Sequence, residues 1–191
     1  MTWDDIISQA KTGDMAETDT LLMDEEIFAA FYHRTSRAVW AYLARVSGNA
    51  ALADDLLQES YLRFLCARRL KDDENTCRSY LFRIATNLLR DHWRRPQTAT
   101  LDEIPETALI AADSRHSERM DSQALLGPAF ARLGPRERQL LWLAYAEGCT
   151  HREISQITGL GAASIRILLF RARRKMARLL RQQMLKPERK S

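Results

Sequence analysis

Residues 150–180, THREISQITGLGAASIRILLFRARRKMARLL, carry the signals of two helices joined by a glycine turn. Thr150 and Glu153 have the spacing of a capping box, which predicts that a helix begins there. Two glycines within 159–161 end that helix, and the apolar spacing predicts a longer helix from about Ala162. This second helix carries several arginines beside its apolar side. A short helix, a glycine turn and a basic helix are typical of a helix-turn-helix, whose second helix lies in the major groove of DNA.

The charges of the chain are distributed unevenly along its length. The 191 residues carry a formal net charge of +4. Residues 1–30 contain eight acids and one lysine, whereas residues 127–191 contain fourteen Lys and Arg and four acids. A basic C-terminal part favours a polyanionic partner, most simply nucleic acid, and the alternative interpretation is a solvated basic surface.

Several classes of protein are disfavoured by what the sequence lacks. The three cysteines form no CxxC pair and the four histidines are scattered, so we expect reduced thiols, no metal and no cofactor. Paired carboxylates, a nucleophile with its base and a phosphate-binding loop are not evident, so we expect no catalytic residue and no enzyme. Apolar runs are too short to span a membrane and no secretion signal is evident, which favours a cytoplasmic protein.

Helical periodicity without strand-like alternation predicts an all-α fold. Gly48 is expected to close one helix, and Asn49 is expected to cap the next. The first of these helices should bury Ile27, Phe31, Val39, Leu43 and Val46. The second should bury Leu52, Leu56, Tyr61, Leu62 and Leu65.

Residues 96–121 interrupt this periodicity. They contain two prolines, six acids and many small polar residues, which indicates an acidic linker. We therefore predict two small helical domains, residues 24–95 and residues 122–182, joined by this linker. Residues 1–23 would form an N-terminal extension and residues 183–191 a basic tail.

The helix predicted over residues 80–95, YLFRIATNLLRDHWRR, has two different sides. Its apolar stripe, at the spacing of a core-facing side, consists of Leu81, Ile84, Ala85 and Leu88. Another side carries polar and basic residues, namely Arg83, Asn87, Arg90 and Arg94. Tyr80 and Phe82 are expected to pack in the core, whereas Trp93 could either pack there or stack on a base.

Three segments resemble, in the same order, motifs of bacterial RNA polymerase sigma factors of the extracytoplasmic-function (ECF) type. ADDLLQESYLRFL at 53–65 is similar to that family's A-E-D-L-V-Q-E-x-F-L-R, and residues 80–95 are similar to its WLYRIARNLxxDxxRR. Both motifs belong to sigma region 2. Residues 133–176 are similar to its region 4, LPxRxRxVxxLRxxEGLSYxEIAxxLGxSxGTVKSRLxRARxxL. The resemblance implies that residues 24–95 form sigma region 2 and residues 122–182 form sigma region 4.

This resemblance implies a factor for transcription initiation. Such a factor binds core RNA polymerase at the β′ clamp helices and the β flap, recognises the −35 and −10 promoter elements and promotes promoter melting. Promoter DNA and an anti-sigma factor are the further partners that it implies. Melting would be driven by binding energy, so no catalytic residue is required.

The resemblance also assigns roles to individual residues. Contacts with −10 DNA are expected from Arg83, Asn87, Arg90, Asp91 and Arg94. In the loop that captures a flipped base, the contacts expected are those of Lys71 and Asn75. The core polymerase is expected to contact Asp54, Asp55, Gln58 and Glu59. Contacts with the −35 element are expected from Arg152, Ser164, Arg166, Phe170, Arg171 and Arg174.

Region 4 departs from the family pattern at two positions. Ile167 and Leu168 stand where T-V-K-S-R-L has a serine and an arginine, which usually face the DNA groove. Aliphatic side chains could contact thymine methyl groups or another protein, but they cannot hydrogen-bond a base edge. We therefore expect weakened or unusual −35 recognition, with Arg166 and Arg171 as the main retained contacts.

Two other classes of function are alternatives. A stand-alone helix-turn-helix transcriptional regulator would use residues 25–95 for dimerisation or ligand binding and would bind duplex DNA without polymerase. The basic helix at 80–95 disfavours this alternative, because a ligand-binding domain does not need it. The other alternative is an enzyme, which no motif of the chain supports.

Overall fold

The computed structural model describes residues 25–67, 73–94 and 126–185. All regular structure in these ranges is helical, which confirms the prediction of an all-α fold. The chain divides into two compact units. The predicted N-terminal extension and acidic linker lie outside the described residues, as do Lys71 and residues 186–191 of the predicted tail.

The described part of the first unit consists of α1 (Glu25–Ser47), α2 (Ala50–Cys66) and α3 (Glu74–Arg94). Gly48 ends α1 with a φ of 80°, a left-handed conformation that favours glycine. The side chain of Asn49 accepts a hydrogen bond from the Leu52 amide at 3.0 Å and so caps α2. Both predicted helix ends are therefore confirmed.

Aromatic side chains join α1, α2 and α3 in the core. The Phe31 ring of α1 stacks on Phe64 of α2 with centroids 5.0 Å apart, and Tyr42 of α1 meets Phe82 of α3 edge-to-face at 5.3 Å. Aromatic pairs of this kind stabilise by about 0.5–1.5 kcal/mol beyond the area that they bury. They hold α1 against both of its neighbours.

Two buried hydrogen bonds join the same helices. The Tyr61 hydroxyl of α2 lies 2.7 Å from Thr35 Oγ1 of α1, and the Tyr42 hydroxyl lies 2.7 Å from Thr86 Oγ1 of α3. Burial raises the pKa of Tyr61, so its hydroxyl stays neutral. A hydroxyl buried without a partner costs about 1–3 kcal/mol. Rotating one of these helices about its axis would separate the paired hydroxyls, so the two hydrogen bonds favour the observed orientation of each helix.

The predicted core is partly wrong on α1 and α2. Ile27 is 57% exposed, and Leu52, Leu56, Leu62 and Leu65 are only partly buried. The residues that α2 buries are Ala53, Ser60, Tyr61 and Phe64. Two of these are small, and the leucines lie at the margins of the buried surface. The remaining residues predicted for the core of α1 are buried, namely Phe31, Val39, Leu43 and Val46.

The described part of the second unit begins with a helical segment at 126–131 and continues with α4 (Pro135–Leu141), α5 (His151–Thr158) and α6 (Ala162–Met184). Pro135 occupies the start of α4, where a backbone N–H has no partner within the helix and its absence costs little. A π-helical turn over Trp142–Ala146 prolongs α4. The core of this unit includes Leu133, Leu140, Leu143, Ile165 and Leu169. Among the helices of the described ranges, none is long and apolar enough to cross a membrane.

Candidate nucleic-acid interface

Helix α3 separates a buried apolar side from an exposed polar side. The predicted apolar stripe is buried, namely Leu81, Ile84, Ala85 and Leu88. The exposed side, which we name the α3 face, consists of Arg83, Asn87, Arg90, Asp91 and Arg94. It places three guanidinium groups around one amide and one carboxylate. Cations of this kind can bind phosphates, while the amide and the carboxylate can hydrogen-bond base edges.

The aromatic residues of α3 divide between the core and the surface. Phe82 is buried, as predicted, and the Arg78 guanidinium carbon lies 5.3 Å from its ring centroid. The prediction that Tyr80 packs in the core is wrong. Its side chain is 39% exposed and its ring centroid lies 6.3 Å from that of Phe64, because this position is at the edge of the core. Trp93 is 38% exposed near the end of α3, so part of its indole is accessible.

Asp73 caps the N-terminus of α3, beside the loop predicted to capture a base. Its carboxylate accepts hydrogen bonds from the Thr76 hydroxyl at 2.8 Å, the Thr76 amide at 3.1 Å and the Asn75 amide at 3.0 Å. These bonds, the hydroxyl first, lower the pKa of Asp73. Asn75 was expected in that loop, but it lies in the first turn of α3, with its side chain exposed next to the cap. An ion pair of 2.8 Å between Arg34 and Glu74 ties the same end of α3 to α1.

The residues predicted to contact the polymerase lie along α2. Asp54 and Asp55 are exposed, whereas Gln58 and Glu59 are partly buried. The Trp40 indole donates a hydrogen bond of 2.7 Å to the Asp54 carboxylate, which holds that group in place. On the same surface, the Arg63 guanidinium forms an ion pair of 2.6 Å with the Glu59 carboxylate. No local pattern in the sequence reports the indole contact, because it joins two helices.

The helix-turn-helix has the predicted local structure. The Glu153 carboxylate accepts a hydrogen bond from the Thr150 amide at 2.7 Å, and the Thr150 hydroxyl accepts one from the Glu153 amide at 3.3 Å. Gly159 ends α5 with a φ of 71°. Across the turn, the Ser155 hydroxyl donates to the Leu160 carbonyl oxygen at 2.6 Å. The capping box and the glycine turn are therefore confirmed.

Helix α6 buries one side and exposes the predicted DNA contacts. The buried residues are Ile165, Leu169, Ala172 and Leu179. The exposed side, which we name the α6 face, includes Ser164, Arg166, Phe170, Arg171 and Arg174. Arg152, on α5, is exposed as well. The Arg174 guanidinium carbon lies 5.7 Å from the Phe170 ring centroid, a cation–π distance.

The two departures from the family pattern lie in different environments. Ile167 is 54% exposed on the α6 face, whereas Leu168 is partly buried. Consecutive residues of a helix are separated by about 100° around its axis, so the two side chains have different surroundings. The structure therefore distinguishes Ile167 as the aliphatic side chain offered to a partner.

Lys175 forms an ion pair within the second unit. Its ammonium donates to the Glu137 carboxylate at 2.6 Å, and the Gly134 amide donates to the same carboxylate at 2.8 Å. Burial alone would raise the pKa of Glu137, but these hydrogen bonds lower it below its ordinary value. The ion pair joins the start of α4 to α6. Its partners are 38 residues apart, so no local pattern in the sequence reports it.

Comparison with known proteins matches both units. Residues 31–99 match the family model of sigma-70 region 2, and residues 125–176 match that of sigma-70 region 4. The sigma factor RpoE from Bartonella quintana, solved in a co-crystal with the anti-sigma factor NepR, has the same fold. It aligns with a TM-score of 0.65 at 18% identity, over 82% of this chain and 98% of its own.

Curated relatives are similar over most of this chain. The ECF RNA polymerase sigma factor SigC from Mycobacterium tuberculosis is 31% identical over 148 residues, 75% of this chain and 78% of that protein. The ECF RNA polymerase sigma factor BldN from Streptomyces coelicolor is 29% identical over 165 residues, 82% of this chain but only 61% of that protein.

The fold and the basic helix-turn-helix define a DNA-binding protein of bacterial transcription. The chain belongs to the family of ECF RNA polymerase sigma factors. This confirms the resemblance in the three sequence motifs. The family models and these relatives support the sigma factor and give no support to the stand-alone regulator.

Proposed function

We propose that this chain is an alternative sigma factor that binds core RNA polymerase, recognises the −35 and −10 promoter elements and promotes promoter melting. One observation carries the proposal: regions 2 and 4 both match, in the order of the family, at 31–99 and 125–176. Each matched unit also presents a basic exposed face. Membership of a family of initiation factors argues against an enzyme, and polymerase as partner argues for a cytoplasmic protein.

The α3 face would bind the −10 element. Its three arginines would hold the DNA backbone, and Asn87 and Asp91 would hydrogen-bond base edges. Trp93 would stack on a base as the strands separate, since base–aromatic stacking contributes about 1–3 kcal/mol. Lys71 and Asn75, the latter in the first turn of α3, would capture a base flipped from the nontemplate strand. The Asp73 cap supports this role of Asn75, because it fixes the backbone beside the exposed side chain.

The acidic side of α2 would contact the β′ clamp helices. Asp54 and Asp55 supply exposed negative charge, and partly buried Leu62 lies one turn beyond Gln58 on the same side. Charged groups around an accessible leucine suit a mixed interface, in which charge guides the encounter and the apolar group is buried. The Trp40 bond supports the proposal because it preorganises the Asp54 carboxylate.

The α6 face would bind the −35 element in the major groove. Arg166 and Arg171 would provide the main contacts to guanine edges or phosphates, Ser164 and Phe170 would contact bases, and Arg152 and Arg174 would bind phosphates. The β flap would bind elsewhere on this unit. The support is the exposure of all six side chains on the two helices of the motif.

An anti-sigma factor is a further proposed partner. RpoE from Bartonella quintana, which shares this fold, was solved with the anti-sigma factor NepR. Such a partner would keep the chain from polymerase until a signal releases it. The expected behaviour is competition between that partner and core polymerase for this chain.

The proposed function is tested by mixing the full chain with core polymerase from the organism that encodes it. We expect the two to co-elute on gel filtration and to start transcripts at defined promoters, which neither does alone. A matched variant, Asp55→Lys, reverses charge on α2 without removing a contact seen in the structure and should weaken co-elution. Tight binding of the chain to duplex DNA without any polymerase complex would instead establish the stand-alone regulator.

A further inference from the structure

We propose that Ile167 contacts the methyl group of a thymine in the −35 element, so that this chain selects its promoters partly by apolar contact. The inference rests on the proposed function and names a specificity residue within it. Ile167 lies in the second turn of α6, whose first residue is Ala162. In a helix-turn-helix, the N-terminal residues of the second helix approach the base edges.

The position of Ile167 on α6 directs it away from the core. It is 54% exposed, and the buried residues Ile165 and Leu169 precede and follow it by two positions, on the other side of the helix. Phe170, one turn further on, is 51% exposed. The two side chains form an accessible apolar patch on the part of α6 that would enter the groove.

The surroundings of this patch favour DNA as its occupant. Arg166, Arg171 and Arg174 are exposed beside it, and the sequence of α6 contains no acidic residue. An apolar centre with a cationic rim is complementary to the major groove, where the thymine methyl is the apolar group and phosphates line both edges. An isoleucine cannot replace water at the hydrogen-bonding edges of guanine, cytosine or adenine, so a thymine is favoured at the facing position.

The test uses the full chain bound to core polymerase and promoter DNA with a randomised −35 region. After selection of the bound sequences, each thymine of the selected −35 element is replaced singly by deoxyuridine, which lacks only the C5 methyl group. We expect one such replacement to weaken binding about fourfold, the factor that corresponds to about 0.8 kcal/mol for one buried methyl group.

Two variants identify the side chain responsible. In Ile167→Ala the sensitive deoxyuridine replacement should have no further effect, because the partner of the methyl group is already absent. Ile27→Ala is the matched control, since Ile27 is a similarly exposed isoleucine, 57%, on α1. That variant should keep the full fourfold sensitivity.

The outcomes separate this inference from the proposed function. If no deoxyuridine weakens binding, or if Ile167→Ala stays equally sensitive, the thymine contact is overturned while promoter-dependent transcription still supports the sigma function. Loss of polymerase binding in Ile167→Ala would assign the patch to a protein contact and would also overturn it. If no promoter sequence is selected in the presence of polymerase, the proposed function is contradicted. In that case the chain alone is used to select duplexes, and deoxyuridine replacement in those duplexes tests the Ile167 contact.

Discussion

The α3 face and the α6 face are both basic, but they differ in what lies between their arginines. Between those of α3 are Asn87 and Asp91, which donate and accept hydrogen bonds. On α6 the corresponding space holds Ile167 and Phe170, which are more than half exposed. The difference suits two tasks. Hydrogen-bonding groups with Trp93 nearby can hold bases as they leave the stack, whereas an apolar centre fits the groove of an intact duplex.

The largest effect is expected from removing the hydrogen-bonding centre of the α3 face. The double variant Asn87→Ala/Asp91→Ala should lower promoter-dependent transcription on the order of 100-fold, since each such contact contributes roughly 1–3 kcal/mol of base discrimination. Core binding should be unchanged, because the proposed clamp contact lies on α2. Transcription and gel filtration measure the two effects. Gln182→Ala, an exposed amide near the end of α6, should leave both unchanged.

A smaller effect is expected from removing one arginine of the α6 face. Arg166→Ala should lower transcription about tenfold at promoters with a −35 element. The decrease should be smaller at promoters in which that element is scrambled. Run-off transcription on paired templates measures the difference. Arg181→Ala, an exposed arginine near the end of the same helix, should change neither template. Equal transcription by Arg166→Ala and the unaltered chain would remove Arg166 from the proposed contacts.

Trp93 offers a sharper test of the proposed binding of single-stranded DNA by the α3 face. Trp93→Ala should reduce strand opening about fivefold, near the lower end of the roughly 1–3 kcal/mol for stacking, because the indole is only partly exposed. Trp93→Phe should retain most of the opening. Reactivity of unpaired thymines with permanganate measures it. If both variants open the promoter equally well, the indole serves packing alone.

The sequence predicted local contacts better than contacts between residues that are distant along the chain. The ends of the helices followed from Gly48, Asn49 and the capping box of Thr150 and Glu153, because their partners lie within a few residues. The exposed sides of α3 and α6 followed from the helical period. Sequence could not separate Ile167 from Leu168, since that depends on where the core meets α6.

The misplaced core residues have a common cause. Tyr80 and Leu62 are apolar enough to be buried, but burial is decided by which residues the neighbouring helix can approach. On α2 two of the buried residues are small, Ala53 and Ser60, whereas Leu62 is only partly buried. The contacts of Trp40 with Asp54 and of Lys175 with Glu137 were missed because they join separate helices. The individual roles at the DNA came from the family resemblance.

The smallest effect concerns the support of the α6 face. The pKa of Glu137 is lowered on folding, so ionised Glu137 stabilises the second unit. This stabilisation is fully present at pH values above 4.5, the ordinary pKa of the carboxyl group, and it is lost as the pH falls through the lowered pKa of the folded protein. Lys175→Met should lower stability at neutral pH by about 0.5 kcal/mol and flatten the acid dependence, because the pair is about one third exposed.

Urea unfolding followed at neutral and acidic pH measures this effect, with hydrogen exchange to locate it on α4 and α6. Arg178→Met is the matched control, since Arg178 is exposed on the same helix. It should change neither the stability nor its pH dependence. A pH profile of Lys175→Met identical to that of the unaltered chain would show that the ion pair does not couple α4 to α6.

The central claim is that the two faces bind separate elements of one promoter. It is tested most directly by mapping the 5′ ends of transcripts that the reconstituted holoenzyme makes from fragmented genomic DNA of its own organism. Two sequence motifs should lie upstream of the starts, the distal one losing influence in Arg166→Ala and the proximal one in Asn87→Ala/Asp91→Ala. A single shared motif, or starts that neither variant alters, would contradict the account.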